Sequence, residues 1–154
     1  VEMEEFDFGK LLRQTLADMD GEIQKSPYKF KIDIPKEAVM VYADGDRMYR
    51  VFQNLIGNAL KYSLEGSRIY ISLKTEKNAA VADIRNTSRS ELKQDVDFTA
   101  RFTRGDESRT DGGSGLGLSI AKSFTEACGG TFEVETMADL FTVKVSFEQK
   151  KCNV

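Results

Sequence analysis

The sequence contains no histidine among its 154 residues. This absence excludes Ser-His and Cys-His nucleophilic pairs, most zinc sites and the commonest general base of enzymes. Only two cysteines, Cys128 and Cys152, are present, and neither belongs to a CxxC or Cys/His metal-binding spacing. Such sparse cysteine usage fits a reducing compartment and favours a structural or incidental role for both thiols.

Long apolar runs are also missing. No stretch of about 18 apolar residues occurs, so we expect no membrane span. Residues 1–9 lack the basic and apolar regions of a signal peptide, and the absence of an initial methionine suggests a fragment of a longer protein. The net charge of −3, from 22 basic and 25 acidic residues, provides no global positive field for nucleic acid or an anionic membrane.

The residues that are present predict one folded domain over 1–154, because 40% are hydrophobic and 31% are charged. The predicted fold is α+β: a two-layer sandwich in which a mixed, mostly antiparallel sheet is covered on one face by three helices. Apolar periodicity and breakers give the elements. They are a helix over about 8–24 capped by Asp7, strands over 28–34 and 38–42, a helix over about 45–63, strands near 69–73 and 79–85, a polar loop over 87–114, a helix over about 116–128 and a hairpin from Phe132 to Phe147.

Three polar side chains share one stripe of the predicted 45–63 helix. Asn54, Asn58 and Lys61 are spaced i, i+4 and i+7, so they lie on one side, away from the centre of the apolar face. An amide oxygen suits Mg²⁺, and a neighbouring ammonium group can contact a phosphate. The pattern predicts either a joint metal and polyphosphate site or an ordinary solvated helix face.

A glycine-rich segment, GGSGLGL over 112–118, lies where the polar loop becomes the last predicted helix. Glycines let backbone N–H groups approach an anion, and a helix N-terminus adds a favourable dipole. The segment therefore predicts a phosphate cradle, with a flexible hinge as the alternative. Its spacing is not that of a Rossmann fingerprint, and the chain has no P-loop. In the helix itself, Leu116, Ile120, Phe124 and Ala127 are predicted to face inward.

Two further segments carry side chains suited to a nucleotide. Asn86 begins NTSRS just after a predicted strand, and its amide can donate to or accept from a base edge; an ordinary Asx turn is the alternative. In the polar loop, Phe98 and Phe102 are expected to tether the loop to the core, while Arg101 and Arg104 can reach phosphates. A short amphipathic segment with solvated arginines is the alternative there.

In this order, the segments resemble the catalytic domain of sensor histidine kinases, within the GHKL ATPase/kinase superfamily. QNLIGNALKYS resembles the N box, NTSRS stands in the place of the first glycine box, FTARFTRGD resembles the F box, and DGGSGLGLSIAKSFTEACGG resembles the second glycine box. The likeness extends from Phe6 to Phe147. It implies a Bergerat-type α/β sandwich that binds ATP and Mg²⁺.

The resemblance also implies roles for individual residues. Asn58 matches the Mg²⁺ ligand, Lys61 the phosphate-contacting basic residue and Tyr62 the aromatic residue beside the nucleotide. Asn54 stands near metal and phosphates, where the superfamily's ATPases carry a glutamate that activates water. Because an amide cannot take that proton, phosphate donation to a protein side chain is favoured over hydrolysis. The remaining matches are the lid arginines, the base-contacting positions and the glycine-rich end of the lid: Arg101, Arg104, Asn86, Ser88, Gly113, Gly115, Leu116 and Gly117.

The first glycine box departs from the family's usual D-x-G-x-G. Asn86, Ser88 and Ser90 stand at those positions, so the base contact keeps an acceptor but loses its charge. The turn is also stiffer without the two glycines. We therefore expect an altered nucleotide pocket that remains functional.

The implied activity is transfer of the γ-phosphate of ATP to a histidine on a separate dimeric helical domain of the same kinase, which then serves a response regulator. The implied location is the cytoplasmic part of a membrane-bound sensor, with no membrane contact by this domain. Two alternatives are a non-enzymatic nucleotide-sensing or docking module and a stand-alone serine kinase of the anti-sigma type. The N-terminal segment, read as the continuation of a preceding helix and linker, argues against the serine kinase.

Overall fold

The computed structural model describes residues 1–92, 97–99 and 115–149. The helices within them are α1 (Phe8–Asp18), α2 (Asp20–Lys25), α3 (Gly45–Tyr62) and α4 (Gly115–Ala127). The strands are β1 (Glu4–Asp7), β2 (Lys29–Asp33), β3 (Met40–Ala43), β4 (Arg68–Glu76), β5 (Ala79–Thr87), β6 (Thr131–Met137) and β7 (Leu140–Glu148). Among these residues, no helix is both long enough and apolar enough to cross a membrane.

Five strands form the main sheet in the order β2-β4-β5-β7-β6. Only the β2–β4 pair is parallel, and the other three pairs are antiparallel, as predicted for a mixed, mostly antiparallel sheet. Alternate residues of the central strands are buried, so one face of the sheet enters the core and the other stays partly exposed. The buried residues include Ile69, Ile71, Leu73, Ala80, Ala82, Ile84, Val143, Val145 and Phe147.

Helices cover the apolar sheet face and complete the predicted two-layer sandwich. The ring of Phe8, at the start of α1, lies 5.5 Å from that of Phe52 in α3 and 5.8 Å from that of Phe147 in β7, both in edge-to-face geometry. Aromatic rings prefer this arrangement, and all three are buried. The two helices and the sheet therefore share one apolar core.

The first predicted helix is present but divided. Asp7 caps it as expected, since its carboxylate accepts from the N–H of Gly9 at 3.0 Å and of Val39 at 3.1 Å. The helical path breaks at Met19, which ends α1 and precedes α2. Met19 is buried, as its apolar periodicity predicts.

A second, two-stranded sheet was not predicted. β1 pairs antiparallel with β3, with Glu4 opposite Ala43 and Asp7 opposite Met40. The expectation that the N-terminal segment continues a helix and linker is therefore wrong for Glu4–Asp7. The cause is long-range pairing, because none of the four residues is fully buried and so no alternating apolar pattern marks the strand.

The inward face predicted for the last helix is only partly correct: Phe124 packs against the core, the side chain of Leu116 lies outside the described residues, and the other two residues are not buried. Ile120 and Ala127 are exposed, whereas Leu118, Ala121, Thr125 and Cys128 are buried on that helix and its end. Apolar residues occur on nearly every side of α4, so periodicity alone does not select the buried face. Thr125 tolerates burial because its hydroxyl donates to the carbonyl of Ala121 at 2.8 Å.

Candidate functional site

The polar stripe of α3 is accessible in the structure. Asn54 and Lys61 are exposed and Asn58 is partly buried, and no hydrogen bond to either asparagine side chain occurs within the described part of the chain. Gly57 lies between the two asparagines, and a Cβ atom there would meet nothing within 4 Å among the described residues outside the helix's own backbone. Both amides are therefore available to a ligand beside open space.

The geometry of α3 and α4 places the start of α4 beside this stripe. The two helices pack against each other, and the guanidinium of Arg47 near the start of α3 lies 4.8 Å from the ring centre of Phe124 near the end of α4. The backbone N–H of Asp44, just before α3, donates to the Sγ atom of Cys128, just after α4, at 3.4 Å. The two helices are therefore antiparallel.

Helix geometry extends this contact to the candidate residues. From Phe124 back to Gly115 is about 13 Å along α4, and the same distance along α3 leads from Arg47 to the turn containing Asn54 and Asn58. Arg47, Asn54 and Asn58 also share one side of α3, because spacings of seven and eleven residues return to nearly the same direction. Helix geometry therefore predicts that the N-terminal end of α4 lies level with the two amides.

Cations surround an aromatic ring where α3 ends. The Nζ atom of Lys61 lies 5.9 Å from the ring centre of Tyr62, and the guanidinium carbon of Arg89 lies 5.8 Å from the same centre. Both distances allow cation–π attraction. The backbone N–H of Arg89 also donates to the carbonyl of Tyr62 at 3.0 Å, which fixes NTSRS against α3.

Asn86 is buried at the end of β5 and is 5% exposed. Its Nδ2 atom donates to the Oγ atom of Ser63 at 2.9 Å. Ser63 follows α3 directly and is 1% exposed. The end of β5 is thus connected to the end of α3 by a buried side-chain hydrogen bond, which is stronger evidence for a built site than an isolated Asx turn.

The rest of NTSRS is held by backbone hydrogen bonds. The N–H of Ser88 donates to the carbonyl of Asp139 in the β6–β7 turn at 2.7 Å, and the N–H of Leu64 donates to the carbonyl of Thr87 at 2.8 Å. The hydroxyl of Ser88 accepts from the N–H of Ser90 at 3.2 Å. The β6–β7 turn and the residues that follow α3 therefore define the position of this segment.

One of the two predicted loop tethers is observed. Phe98 is buried and its ring lies 5.3 Å from that of Phe141 in β7, edge to face. The other tether, Phe102, lies outside the described residues, as do Arg101, Arg104 and Gly113. Gly115, Leu116 and Gly117 form the first turn of α4, and a Cβ atom at Gly117 would meet nothing within 4 Å among the described residues.

Sequence reasoning missed two residues that the structure adds to the site, Ser63 and Arg89. Both stand inside quoted segments, in KYS and NTSRS, but neither carries a spacing signal of its own. The contacts of Ser63 with Asn86 and of Arg89 with Tyr62 join residues 23 and 27 positions apart, so only the folded chain shows them.

An open groove lies elsewhere, between α1, α2 and β2. Its lining includes Leu16, Ile23, Tyr28, Phe30 and Ile32. Neither the amides of α3 nor the start of α4 contributes to it. The groove therefore is not the candidate site.

A match to a known protein family covers the part of the chain that contains the candidate site. The profile of the family described as "Histidine kinase-, DNA gyrase B-, and HSP90-like ATPase" matches residues 43–150. The match begins at Ala43, before α3, and ends after β7. It therefore contains every candidate site residue.

Curated relatives agree with the family match. Sensor protein KdpD of Clostridium acetobutylicum is 36% identical over 110 residues, which are 69% of this chain and 12% of that protein. Sensor histidine kinase YcbM of Bacillus subtilis is 36% identical over 118 residues, which are 74% of this chain and 38% of that protein. The chain thus spans well under half the length of these relatives.

Solved structures show the same fold. The catalytic domain of histidine kinase ThkA, in a nucleotide-free form, superposes with a TM-score of 0.83 at 23% identity. The superposition covers 97% of this chain and 97% of that domain. At this identity the likeness concerns the architecture, and both sheet and helices correspond.

Proposed function

Because this chain belongs to the family of histidine kinase-, DNA gyrase B- and HSP90-like ATPases, we propose that it is the ATP-binding catalytic domain of a sensor histidine kinase. In this proposal a single domain presents the γ-phosphate of ATP to a histidine on a separate dimeric helical domain of the same protein. That histidine then supplies a response regulator. The named relatives, sensor protein KdpD and sensor histidine kinase YcbM, support this class of activity.

The observation that carries the proposal is the juxtaposition at the C-terminal half of α3. Helix geometry supports the placement of Asn54 and Asn58 on the side of α3 towards the region where α4 begins, and Lys61, Tyr62 and Arg89 cluster one turn further along. Asn86 closes the same end from β5 through Ser63. Amide oxygens, cations, an aromatic ring and a helix N-terminus are together suited to a metal, a polyphosphate and a base.

The donor set fits Mg²⁺ held together with a nucleotide. Among the described residues there is no group of three or more His, Cys, Asp and Glu side chains that could hold a metal alone. Mg²⁺ usually keeps several waters and is bound through few protein ligands plus substrate phosphates. The amide oxygen of Asn58 is the protein ligand in this proposal, and bound Mg²⁺ supplies charge neutralisation for the phosphates.

The chain's own residues bind and orient rather than act as acids or bases. The amide of Asn54 cannot accept a proton, and among the described residues no histidine or carboxylate belongs to the site to abstract a proton from water. Phosphoryl transfer depends mainly on positioning and charge stabilisation, which in this proposal come from Asn58, Lys61 and the backbone N–H groups at the start of α4. The domain is proposed to work on the cytoplasmic side of the membrane.

Transfer to a supplied acceptor tests the proposed function. The chain is incubated with Mg²⁺, γ-labelled ATP and a dimeric helical domain of a sensor kinase that carries the acceptor histidine. We expect label on the helical domain in an acid-labile, alkali-stable form, because phosphohistidine has that stability. A helical domain with the acceptor histidine replaced by glutamine is the control and should stay unlabelled.

Each other outcome contradicts the proposal in a different way. Acid-stable label on serine favours the anti-sigma-type kinase. Binding of nucleotide without any transfer, with a helical domain that accepts phosphate from its own kinase, favours the sensing or docking module.

A further inference from the structure

Two hydrogen bonds around Ser63 determine which way the amide of Asn86 points. The Oγ atom of Ser63 lies 2.5 Å from the carbonyl oxygen of Ala59 and 2.9 Å from the Nδ2 atom of Asn86. A carbonyl only accepts, so the single hydroxyl proton must be donated to Ala59. The hydroxyl oxygen is then left as an acceptor, and only the NH₂ end of Asn86 can satisfy it.

The other end of the amide is therefore fixed as well. With the NH₂ group of Asn86 held by Ser63, its Oδ1 atom points away from Ser63. No hydrogen bond to this oxygen occurs within the described residues. A side chain that is 5% exposed thus offers one oriented acceptor. Burial raises the cost of leaving such a group mismatched.

Ser63 itself has little freedom to move. Its N–H donates to Ala59 at 3.2 Å, its carbonyl accepts from the hydroxyl of Tyr28 at 3.0 Å, and it bridges to Ser88. Reversal of the amide would place Oδ1 against a hydroxyl oxygen whose proton is already used. The orientation of Asn86 is therefore built into the end of α3.

We propose that Ser63 is a positioning residue that makes the site selective for bases with an amino group over bases with a carbonyl at the same position. The inference rests on the proposed function, with Asn86 as the base contact. An adenine-type 6-amino group donates to the oriented Oδ1 atom, whereas a 6-oxo group meets it oxygen to oxygen. An asparagine side chain that is free to rotate could pair with either base, because its NH₂ end and its oxygen end have nearly the same size.

Calorimetric titration with ADP and with inosine diphosphate tests this role. The two nucleotides differ by exchange of the 6-amino donor for a 6-oxo acceptor, together with protonation of N1. For the wild-type chain we expect clear preference for ADP. Ser63→Ala should lower the ratio of the two dissociation constants about tenfold, since Asn86 can then turn its NH₂ end to the 6-oxo group.

A double substitution separates positioning from general damage. In an Asn86→Asp background the side chain has two acceptor oxygens and no orientation to choose, so adding Ser63→Ala should leave the ratio unchanged. Tyr28→Phe removes the hydroxyl that contacts the Ser63 carbonyl while keeping the Ser63 hydroxyl, and it should also preserve the ratio. An equal loss of selectivity in both Asn86 and Asp backgrounds overturns the positioning role.

Failure of this inference and failure of the proposed function give different results. A wild-type chain that binds neither nucleotide contradicts the proposed function. A wild-type chain that prefers ADP, with the same preference after Ser63→Ala, contradicts only the role of Ser63. If Ser63→Ala does not fold, nuclear Overhauser contacts between the Asn86 amide protons and the Ser63 β-protons of the wild type decide the orientation; their absence overturns it.

Discussion

Asn58 combines the two properties that a metal-binding amide needs at the scale of a single residue. It is partly exposed, and its neighbour Gly57 leaves open space beside it. At the same time it stands on a helix that is anchored in the core by the buried side chains of Val51, Phe52 and Leu55. The side chain is thus held by a rigid element yet open to a ligand.

Asn58→Ala is expected to weaken ATP binding about 10- to 100-fold when Mg²⁺ is present, because the metal loses its proposed protein ligand. In excess chelator the variant and the wild type should bind ATP alike. Calorimetry with and without Mg²⁺ measures both conditions. Gln53→Ala is a matched control, since Gln53 is an exposed amide on another side of α3. Equal weakening with and without Mg²⁺ would contradict the metal role.

At this scale the sequence predicted which residues are candidates for the site better than it predicted the contacts between their side chains. The spacing of Asn54, Asn58 and Lys61 placed them on one side of α3, because helix geometry is local and regular. The link from Asn86 to Ser63 could not be predicted, since it depends on where β5 ends against α3. The orientation of the Asn86 amide in turn depends on the hydrogen bond that already engages the Ser63 hydroxyl proton. Only atomic geometry shows that bond.

At the scale of elements, Gly129 and Gly130 explain how α4 passes into β6. Gly129 has a φ of +82°, a left-handed conformation that ends the helix. Gly130 has no space for a side chain, because a Cβ atom there would lie 2.6 Å from the Phe147 ring and 2.9 Å from the carbonyl of Ser146. The helix and the sheet can approach closely only at a glycine.

Gly130→Ala should therefore lower the free energy of unfolding by about 1–3 kcal/mol, the usual range for overpacking. Gly21→Ala is the control, because a Cβ atom at Gly21 in α2 meets nothing within 4 Å. That change should raise stability by about 0.5–1 kcal/mol through better helix propensity. Urea denaturation measures both values. A Gly130→Ala variant as stable as the wild type would contradict this prediction. It would mean that β7 moves aside without lowering the free energy of unfolding.

Elements with strong local signals were predicted well, and elements made by distant contacts were not. The 45–63 helix has a cap at Asp44 and a clear apolar stripe, and α3 spans Gly45–Tyr62. β1 has no buried alternation, so its pairing with β3 left no trace in the sequence. On α4, apolar residues surround the helix, and packing against α3 rather than periodicity chose the buried side.

At the scale of the whole molecule, Asp44 joins the N-terminal segment to both long helices. Its carboxylate accepts from the N–H of Glu2 at 2.9 Å and from the N–H of Arg47 at 3.2 Å. Its own N–H contacts Cys128 after α4. The Glu2 N–H, followed by the N–H and guanidinium of Arg47, outweighs burial and lowers the pKa of the Asp44 carboxyl below its ordinary value of 3.8.

A carboxyl with a lowered folded pKa stabilises the protein fully above pH 3.8, and this contribution is lost as the pH falls through the folded pKa. Asp44→Asn should therefore unfold at lower urea concentration than the wild type at pH 7, and the difference should shrink as the pH falls below 3.8 and through the folded pKa. Asp46→Asn, in the exposed first turn of the same helix, should show a smaller effect. A difference that is independent of pH would contradict an ionic role for Asp44.

The buried hydrogen bond between Ser63 and Asn86 has an evolutionary consequence. Asparagine and aspartate codons differ by one base, but an aspartate here would bring an acceptor oxygen against the Ser63 hydroxyl, whose proton is donated to Ala59. A lineage that makes this exchange must redirect the serine proton or replace Ser63 as well. We therefore expect positions 63 and 86 to change together during evolution rather than to drift independently.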